Sequence, residues 1–184
     1  SVHGVRLPYT LEKRISFPSA NLLRMDYKLT NHSPFPFDYL WALHTMFQSE
    51  EGAEITLPSE VNRMLLTFSK QEALGMYGLW HDWPLGTLLD GTQRDLRKMR
   101  SSDAKSVYKY YIHGALSEGW CTARFPRSGY AVGLSWPVEQ VPYLAVLPNE
   151  GGWDEMNSLY FEPSTCTFDR PDLGRYRGEP EPTY

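Results

Sequence analysis

The amino-acid sequence predicts an all-β protein whose antiparallel strands form a large β-sandwich. Several segments alternate apolar and polar residues with a period of two, which is typical of strands with one buried face. Fourteen prolines are spread along the 184 residues, and the longest interval without one runs from Pro84 to Pro126. Because proline breaks helix interiors, this spread argues against a helical bundle. Aromatic residues, which favour strands, make up 14% of the chain.

The clearest alternation lies in the segment 22–30. The apolar residues on one of its faces are Leu23, Met25, Tyr27 and Leu29, and the other face is charged or polar. This pattern predicts a half-buried strand with one solvated face. The Asn-His-Ser-Pro sequence at 31–34 then predicts a turn.

The rest of the chain predicts short strands separated by glycine and proline. They are expected at Val107–His113, Trp120–Phe125, Tyr130–Trp136, Tyr143–Leu147 and Leu159–Glu162. The polar segment 90–106 predicts an exposed helical or loop insertion. The segment 174–184, which contains two prolines, predicts a loosely packed tail. We therefore expect a single domain over residues 1–184.

Composition excludes several classes of partner. Eighteen basic and 22 acidic residues give a formal net charge of −4, so neither nucleic acid nor an anionic membrane is expected as a partner. No apolar run reaches the roughly 18 to 20 residues that span a bilayer. Residues 1–10 show no secretory signal, and only Cys121 and Cys166 are present. We expect both cysteines to be reduced and the protein to be cytoplasmic.

Two residues are candidates for proton transfer. His44 lies in the apolar, aromatic run 39–47, where an imidazole is either a hydrogen-bonded core residue or a proton-transfer group in a pocket. Glu162 ends a predicted strand just before Pro163, where a carboxylate is either solvated or a usable base in a cleft. The five histidines show no metal-ligand spacing, and the chain has no glycine-rich phosphate loop or dinucleotide motif. We expect no metal and no cofactor.

Two segments together resemble the aldose 1-epimerase (galactose mutarotase) superfamily. The run Tyr-Leu-Trp-Ala-Leu-His-Thr-Met-Phe at 39–47 resembles the strand that carries the general-acid histidine of that family. The run Pro-Tyr-Leu-Ala-Val-Leu-Pro-Asn-Glu-Gly-Gly-Trp at 142–153, followed by Leu-Tyr-Phe-Glu-Pro at 159–163, is similar to its closing strands. The resemblance extends from about Leu7 to Leu173. It implies a galactose mutarotase-like supersandwich.

The resemblance also implies a reaction and its residues. It implies exchange between the α and β anomers of a hexose, with His44 as the general acid and Glu162 as the general base. The small-molecule partner is then a sugar, and Trp41, Asp82 and Trp153 are candidates for binding it. Two alternatives remain. One is a non-catalytic carbohydrate-binding protein on the same fold; the other is a phosphosugar 1-epimerase that uses Arg124 and Arg127.

One departure from the family concerns the start of the fold. Members of the family carry a substantial portion of the sandwich before the part that Leu7 resembles. The resemblance therefore implies a sandwich without its N-terminal portion, either as a fragment or as a shortened relative. Exposed sheet edges would follow, and these favour pairing with a second chain. A homo-oligomer formed through such edges is the corresponding expectation.

Overall fold

A computed structural model describes residues 1–70 and 73–169 of the chain. The expected tail at 174–184 lies outside the described residues. Fourteen strands are present in the described ranges: β1 (Val2–His3), β2 (Tyr9–Ser19), β3 (Leu22–Asn31), β4 (Thr45–Gln48), β5 (Glu54–Thr56), β6 (Arg63–Lys70), β7 (Trp80–Asp82), β8 (Leu85–Thr87), β9 (Gln93–Asp95), β10 (Ser106–Ile112), β11 (Trp120–Phe125), β12 (Tyr130–Ser135), β13 (Tyr143–Glu150) and β14 (Asn157–Ser164). In the same ranges, a 3₁₀ turn at Ser102–Ala104 is the only helical segment, and no helix is long and apolar enough to cross a membrane. The prediction of an all-β protein is confirmed.

Residues 1–38 form the first of two compact units. β2 and β3 pair as an antiparallel hairpin, and β1 adds a short third strand beside β2. Leu29 lies opposite Leu11, and Met25 lies opposite Ile15, so the hairpin has one mainly apolar face. β3 confirms the strand predicted at 22–30, but its apolar face is not buried as expected, since Leu23 and Leu29 are 48% and 37% exposed.

The second unit begins at Tyr39 and contains two larger antiparallel sheets and a hairpin. The six-stranded sheet has the order β4-β14-β13-β10-β6-β7, and the three-stranded sheet has the order β12-β11-β5. β8 and β9 form the hairpin. The five later strands predicted from the sequence correspond to β10 to β14, of which β13 and β14 are longer than expected.

The two larger sheets share one apolar core. Tyr110 and Phe161 of the six-stranded sheet and Phe125 of the three-stranded sheet are fully buried in it. Successive residues of a strand point to opposite faces. Lys109 and Glu162, which neighbour two of these core residues in sequence, therefore lie on the other face of the six-stranded sheet. This second face, which we call the polar face, carries the candidate site.

The expectation of an exposed helical or loop insertion at 90–106 is met only in part. This segment contains β9 and the 3₁₀ turn, and between them Leu96 and Met99 are buried in the core. Its polar composition hid these two positions, because two apolar side chains suffice to anchor a short segment in which most other residues are exposed or half-buried.

Neither Cys121 nor Cys166 forms a disulfide within the described part of the chain, and both are buried. Burial raises the pKa of the Cys121 thiol. Cys121 is therefore expected to stay protonated and unreactive at neutral pH.

The shared core predicts unequal costs for the same substitution at two leucines. Leu66 is fully buried, whereas Leu89 in the same unit is 67% exposed. Leu66→Ala should lower the free energy of unfolding by about 2 to 5 kcal/mol, because it leaves a cavity between the sheets. Leu89→Ala should change it by less than about 0.5 kcal/mol. Urea denaturation followed by tryptophan fluorescence measures both values, and equal losses would contradict this core.

Candidate active site on the polar face of the six-stranded sheet

His44 and Glu162 lie side by side at one edge of the six-stranded sheet. Phe161 of β14 pairs with Thr45 of β4. Continuing this antiparallel register by one residue places His44 opposite Glu162, with both side chains on the same face. His44 Nε2 lies 3.3 Å from Glu162 Oε1. Sheet pairing therefore brings together two residues that are far apart in the sequence.

The two side chains lie in very different surroundings. The Glu162 side chain is only 2% exposed, whereas that of His44 is 62% exposed. The His44 ring packs edge-on against Tyr160, with 5.0 Å between the ring centroids. An acid and a base that act on one substrate must lie within reach of each other, and these two side chains meet that geometric requirement.

Lys109 holds the other oxygen of Glu162. Its ammonium donates hydrogen bonds to Glu162 Oε2 at 2.6 Å and to Asp169 Oδ1 at 2.7 Å. The Lys109 side chain is itself only 9% exposed, so both partners of the Lys109–Glu162 pair are buried. A buried charge must be paired to be tolerated, and this contact pairs both. The second oxygen, Glu162 Oε1, is buried and accepts no hydrogen bond from the described residues.

Tyr111 completes the group around the lysine. Its hydroxyl donates to Asp169 Oδ1 at 3.1 Å, and the Lys109 ammonium lies 5.4 Å from the centre of its ring. Burial, and then the charge of Asp169, raise the pKa of Tyr111. The hydroxyl is therefore protonated across the physiological pH range and remains a hydrogen-bond donor.

The polar face extends across the sheet from this group. One row of register partners runs from Glu162 through Ala145, Tyr111 and Leu65 to Trp80. Directly opposed residues of antiparallel strands point to the same face. Ala145, next to Glu162 in this row, is fully buried.

Of the other candidates from the sequence, Trp153 lies on the same face as this group. Its ring packs against Phe68 with 5.6 Å between centroids, and Phe68 is the register partner of Lys109 on β6. Trp41 precedes β4, and its backbone N–H donates to Thr165 Oγ1. Trp41 is therefore anchored to the segment that follows β14.

The structure does not bring Asp82 to His44 and Glu162. Asp82 ends β7, the edge strand opposite β4, and four strands separate these two edges. Its register partner is Arg63. The assignment of a binding role to Asp82 rested on the short sequence Trp-His-Asp-Trp at 80–83, and the placement gives it no support.

Sequence reasoning missed Lys109, Tyr111 and Asp169. The strand predicted at 107–113 contained a signal for the first two, because Val107, Lys109 and Tyr111 share one face of a segment that is otherwise mainly aromatic or apolar. A lysine at such a position needs a buried anion. Asp169 lies beyond the last strand, and no local pattern marked it.

The arrangement contains no evident metal centre. Within residues 1–70 and 73–169, no three histidine, cysteine, aspartate or glutamate side chains are grouped as metal ligands.

Comparison of the chain with protein-family models, with curated proteins and with solved structures gives no match. The functional argument therefore depends on the residues of the site themselves.

The buried ion pair predicts a large effect of removing the lysine. Lys109→Met leaves Glu162 buried with its charge unpaired on Oε2, and should lower the free energy of unfolding by about 3 to 5 kcal/mol. Lys105→Met is the matched control, because Lys105 pairs with Glu155 at the surface and should cost less than about 1 kcal/mol.

Chemical denaturation of the two variants and of the double variant Lys109→Met/Glu162→Gln measures these effects. The double variant should regain part of the loss, because it removes both charges. Equal, small losses in both lysine variants would show that the buried pair contributes little.

Proposed function

We propose that this chain is an aldose 1-epimerase-like protein, with a galactose mutarotase-like fold, that interconverts the α and β anomers of a neutral hexose. The observation that carries the proposal is the contact of 3.3 Å between the exposed His44 imidazole and the buried Glu162 carboxylate. The sequence resemblance assigns the acid and base roles to the same two residues. Their proximity in the fold supports that assignment.

The reaction requires two coupled proton transfers. Glu162 Oε1 takes the proton of the C1 hydroxyl while the protonated His44 gives a proton to the ring oxygen, and the bond between C1 and the ring oxygen breaks. The product is the open-chain aldehyde. Rotation about the C1–C2 bond presents the other face of the carbonyl, and the reverse transfers close the ring. Each proton transfer contributes about 10² to 10⁴ in rate.

Lys109 leaves one oxygen of Glu162 for this chemistry. The ammonium occupies Oε2, and the buried Oε1 lacks a hydrogen bond within the described residues. A base whose unoccupied oxygen has one fixed direction needs little reorganisation before it accepts a proton. His44 has room to turn toward solvent because its side chain is 62% exposed. A sugar ring can then enter between the two groups.

The same contact also favours a second candidate function. His44 and Glu162 touch directly, so a hexose ring fits between them only after His44 moves. A site that keeps this contact would bind a sugar beside the pair without catalysing ring opening. A non-catalytic carbohydrate-binding protein is therefore the alternative.

A phosphosugar substrate receives no support from the two arginines that suggested it. Arg124 lies on β11 of the three-stranded sheet and pairs with Glu54 at 2.7 Å. Arg127 follows in the next turn, where its backbone N–H donates to Glu50. Near Glu162, the cation Lys109 is already bonded to two carboxylates. A neutral hexose is therefore the substrate we propose.

Anomer exchange tests the proposal directly. Wild-type protein should accelerate exchange between the anomeric protons of D-glucose or D-galactose, measured by magnetisation-transfer NMR. Glu162→Gln should lower the rate by about 10² or more, because it removes the base and keeps the shape. His44→Ala should also lower it, by less if water replaces the acid. Glu155→Gln is the control, because Glu155 is an exposed carboxylate.

The outcomes separate the two candidate functions. Exchange at the buffer rate with wild-type protein would remove the enzyme proposal. Sugar binding in that same sample, detected by saturation-transfer NMR, would favour the non-catalytic alternative. Variants at His44 and Glu162 as fast as an active wild type would remove the residue assignment instead.

A further inference from the structure

Asp169 lies at the polar face, and the backbone that carries it is held by the buried residue before it. The preceding residue, Phe168, is only 1% exposed. Its ring packs against Tyr111 and Tyr77, at 6.1 and 6.2 Å between centroids. Phe168 also has a φ of 66°, in the left-handed region that a bulky residue rarely adopts. Such a conformation persists where surrounding contacts fix it. The backbone that carries Asp169 is therefore held in place.

The Asp169 carboxylate is fixed at one oxygen and open at the other. Oδ1 accepts hydrogen bonds from Lys109 Nζ at 2.7 Å and from the Tyr111 hydroxyl at 3.1 Å. Oδ2 accepts none from the described residues, and 64% of the side chain is exposed. Because Oδ1 is already held, Oδ2 can accept a hydrogen bond from a ligand with little further loss of side-chain freedom.

Asp169 and Glu162 share one lysine. Both carboxylates contact the same ammonium nitrogen, at 2.7 and 2.6 Å, so they lie within the span of a single hexose. Glu162 Oε1 is buried, accepts no hydrogen bond from the described residues and faces the His44 imidazole at 3.3 Å, so a hydroxyl donor that takes the place of His44 would satisfy it.

We propose that Asp169 is a substrate-binding residue whose Oδ2 accepts hydrogen bonds from ring hydroxyl groups of a neutral pyranose while C1 lies at Glu162. This inference rests on the proposed function, since it places the sugar by the role of Glu162. It assigns to Asp169 the role that the sequence suggested for Asp82. An exposed carboxylate also repels anions, so the site favours neutral hexoses over sugar phosphates and uronic acids.

The experiment compares Asp169→Ala with Asp82→Ala, which removes an exposed aspartate at the opposite edge of the sheet. Dissociation constants for D-galactose and D-glucose are measured by ligand-detected NMR titration of the full chain. Removing a charged acceptor of a hydroxyl donor should weaken binding about 10- to 100-fold. Asp82→Ala should bind as wild type does.

The variant Asp169→Asn separates a loss of sugar binding from a loss of folding stability. The amide oxygen can still accept the bonds from Lys109 and Tyr111, so this variant should melt close to wild type while it loses the charged acceptor. Binding should weaken in the same direction as in Asp169→Ala and by less. Where the chain is active, KM should rise in both Asp169 variants by a larger factor than kcat falls, which a merely structural role would not produce.

The results distinguish this inference from the enzyme proposal. If wild-type protein binds hexose but leaves exchange at the buffer rate, weaker binding in the Asp169 variants still supports a sugar-binding Asp169, although the epimerase proposal fails. Folded Asp169 variants with the wild-type dissociation constant would overturn the inference, whatever the exchange rate. Equal losses in Asp169→Ala and Asp82→Ala would also overturn it.

Discussion

The buried ion pair between Lys109 and Glu162 is the constraint on which the rest of the site depends. The two side chains are 9% and 2% exposed and lie on one face of the six-stranded sheet. The Lys109 ammonium and the Glu162 carboxylate form an ion pair at 2.6 Å. Removing one partner of a buried ion pair destabilises the fold strongly, because the other charge is left buried and unpaired, whereas the intact pair adds little net stability. Its geometry determines which oxygen of Glu162 faces His44 and where Asp169 is held.

The strand pairing makes this constraint possible. β14 lies between β4 and β13, and β10 lies on the far side of β13. Side chains from β10 and β14 therefore meet over the intervening strand, where Ala145 leaves space for them. The opposite face of the same strands is filled by the apolar core. The charged pair therefore lies on the face that does not belong to this core, among side chains such as Leu65 and Tyr111 that are themselves buried.

Prediction from the sequence succeeded where the structure of a segment determines the pattern of residues within that same segment. Alternation in the segment 130–136 predicted β12 because side chains of a strand alternate between faces. The prediction for the segment 90–106 missed its two buried residues, because two apolar residues within a polar segment produce no periodic pattern. Lys109 was missed although its strand was predicted, since its partner Glu162 comes from a distant part of the chain and only strand order joins them.

The candidate pair illustrates the same limit. Neither His44 nor Glu162 was distinguishable from a structural residue by its own segment, and the resemblance of two segments in the expected order singled them out. Their contact depends on the register of β4 with β14, which no single segment contains. Asp169 follows the last strand, and its position depends on the burial of Phe168 beside Tyr111.

A crystal structure of the Glu162→Gln variant with bound D-galactose tests the central claim most directly, because the substitution keeps the shape of the site and halts turnover. We predict a pyranose on the polar face, with its C1 hydroxyl within hydrogen-bonding distance of the side chain at position 162 and His44 turned toward the ring oxygen. A sugar bound elsewhere on the protein, with Lys109, Asp169 and His44 arranged as in the unliganded chain, would contradict the account.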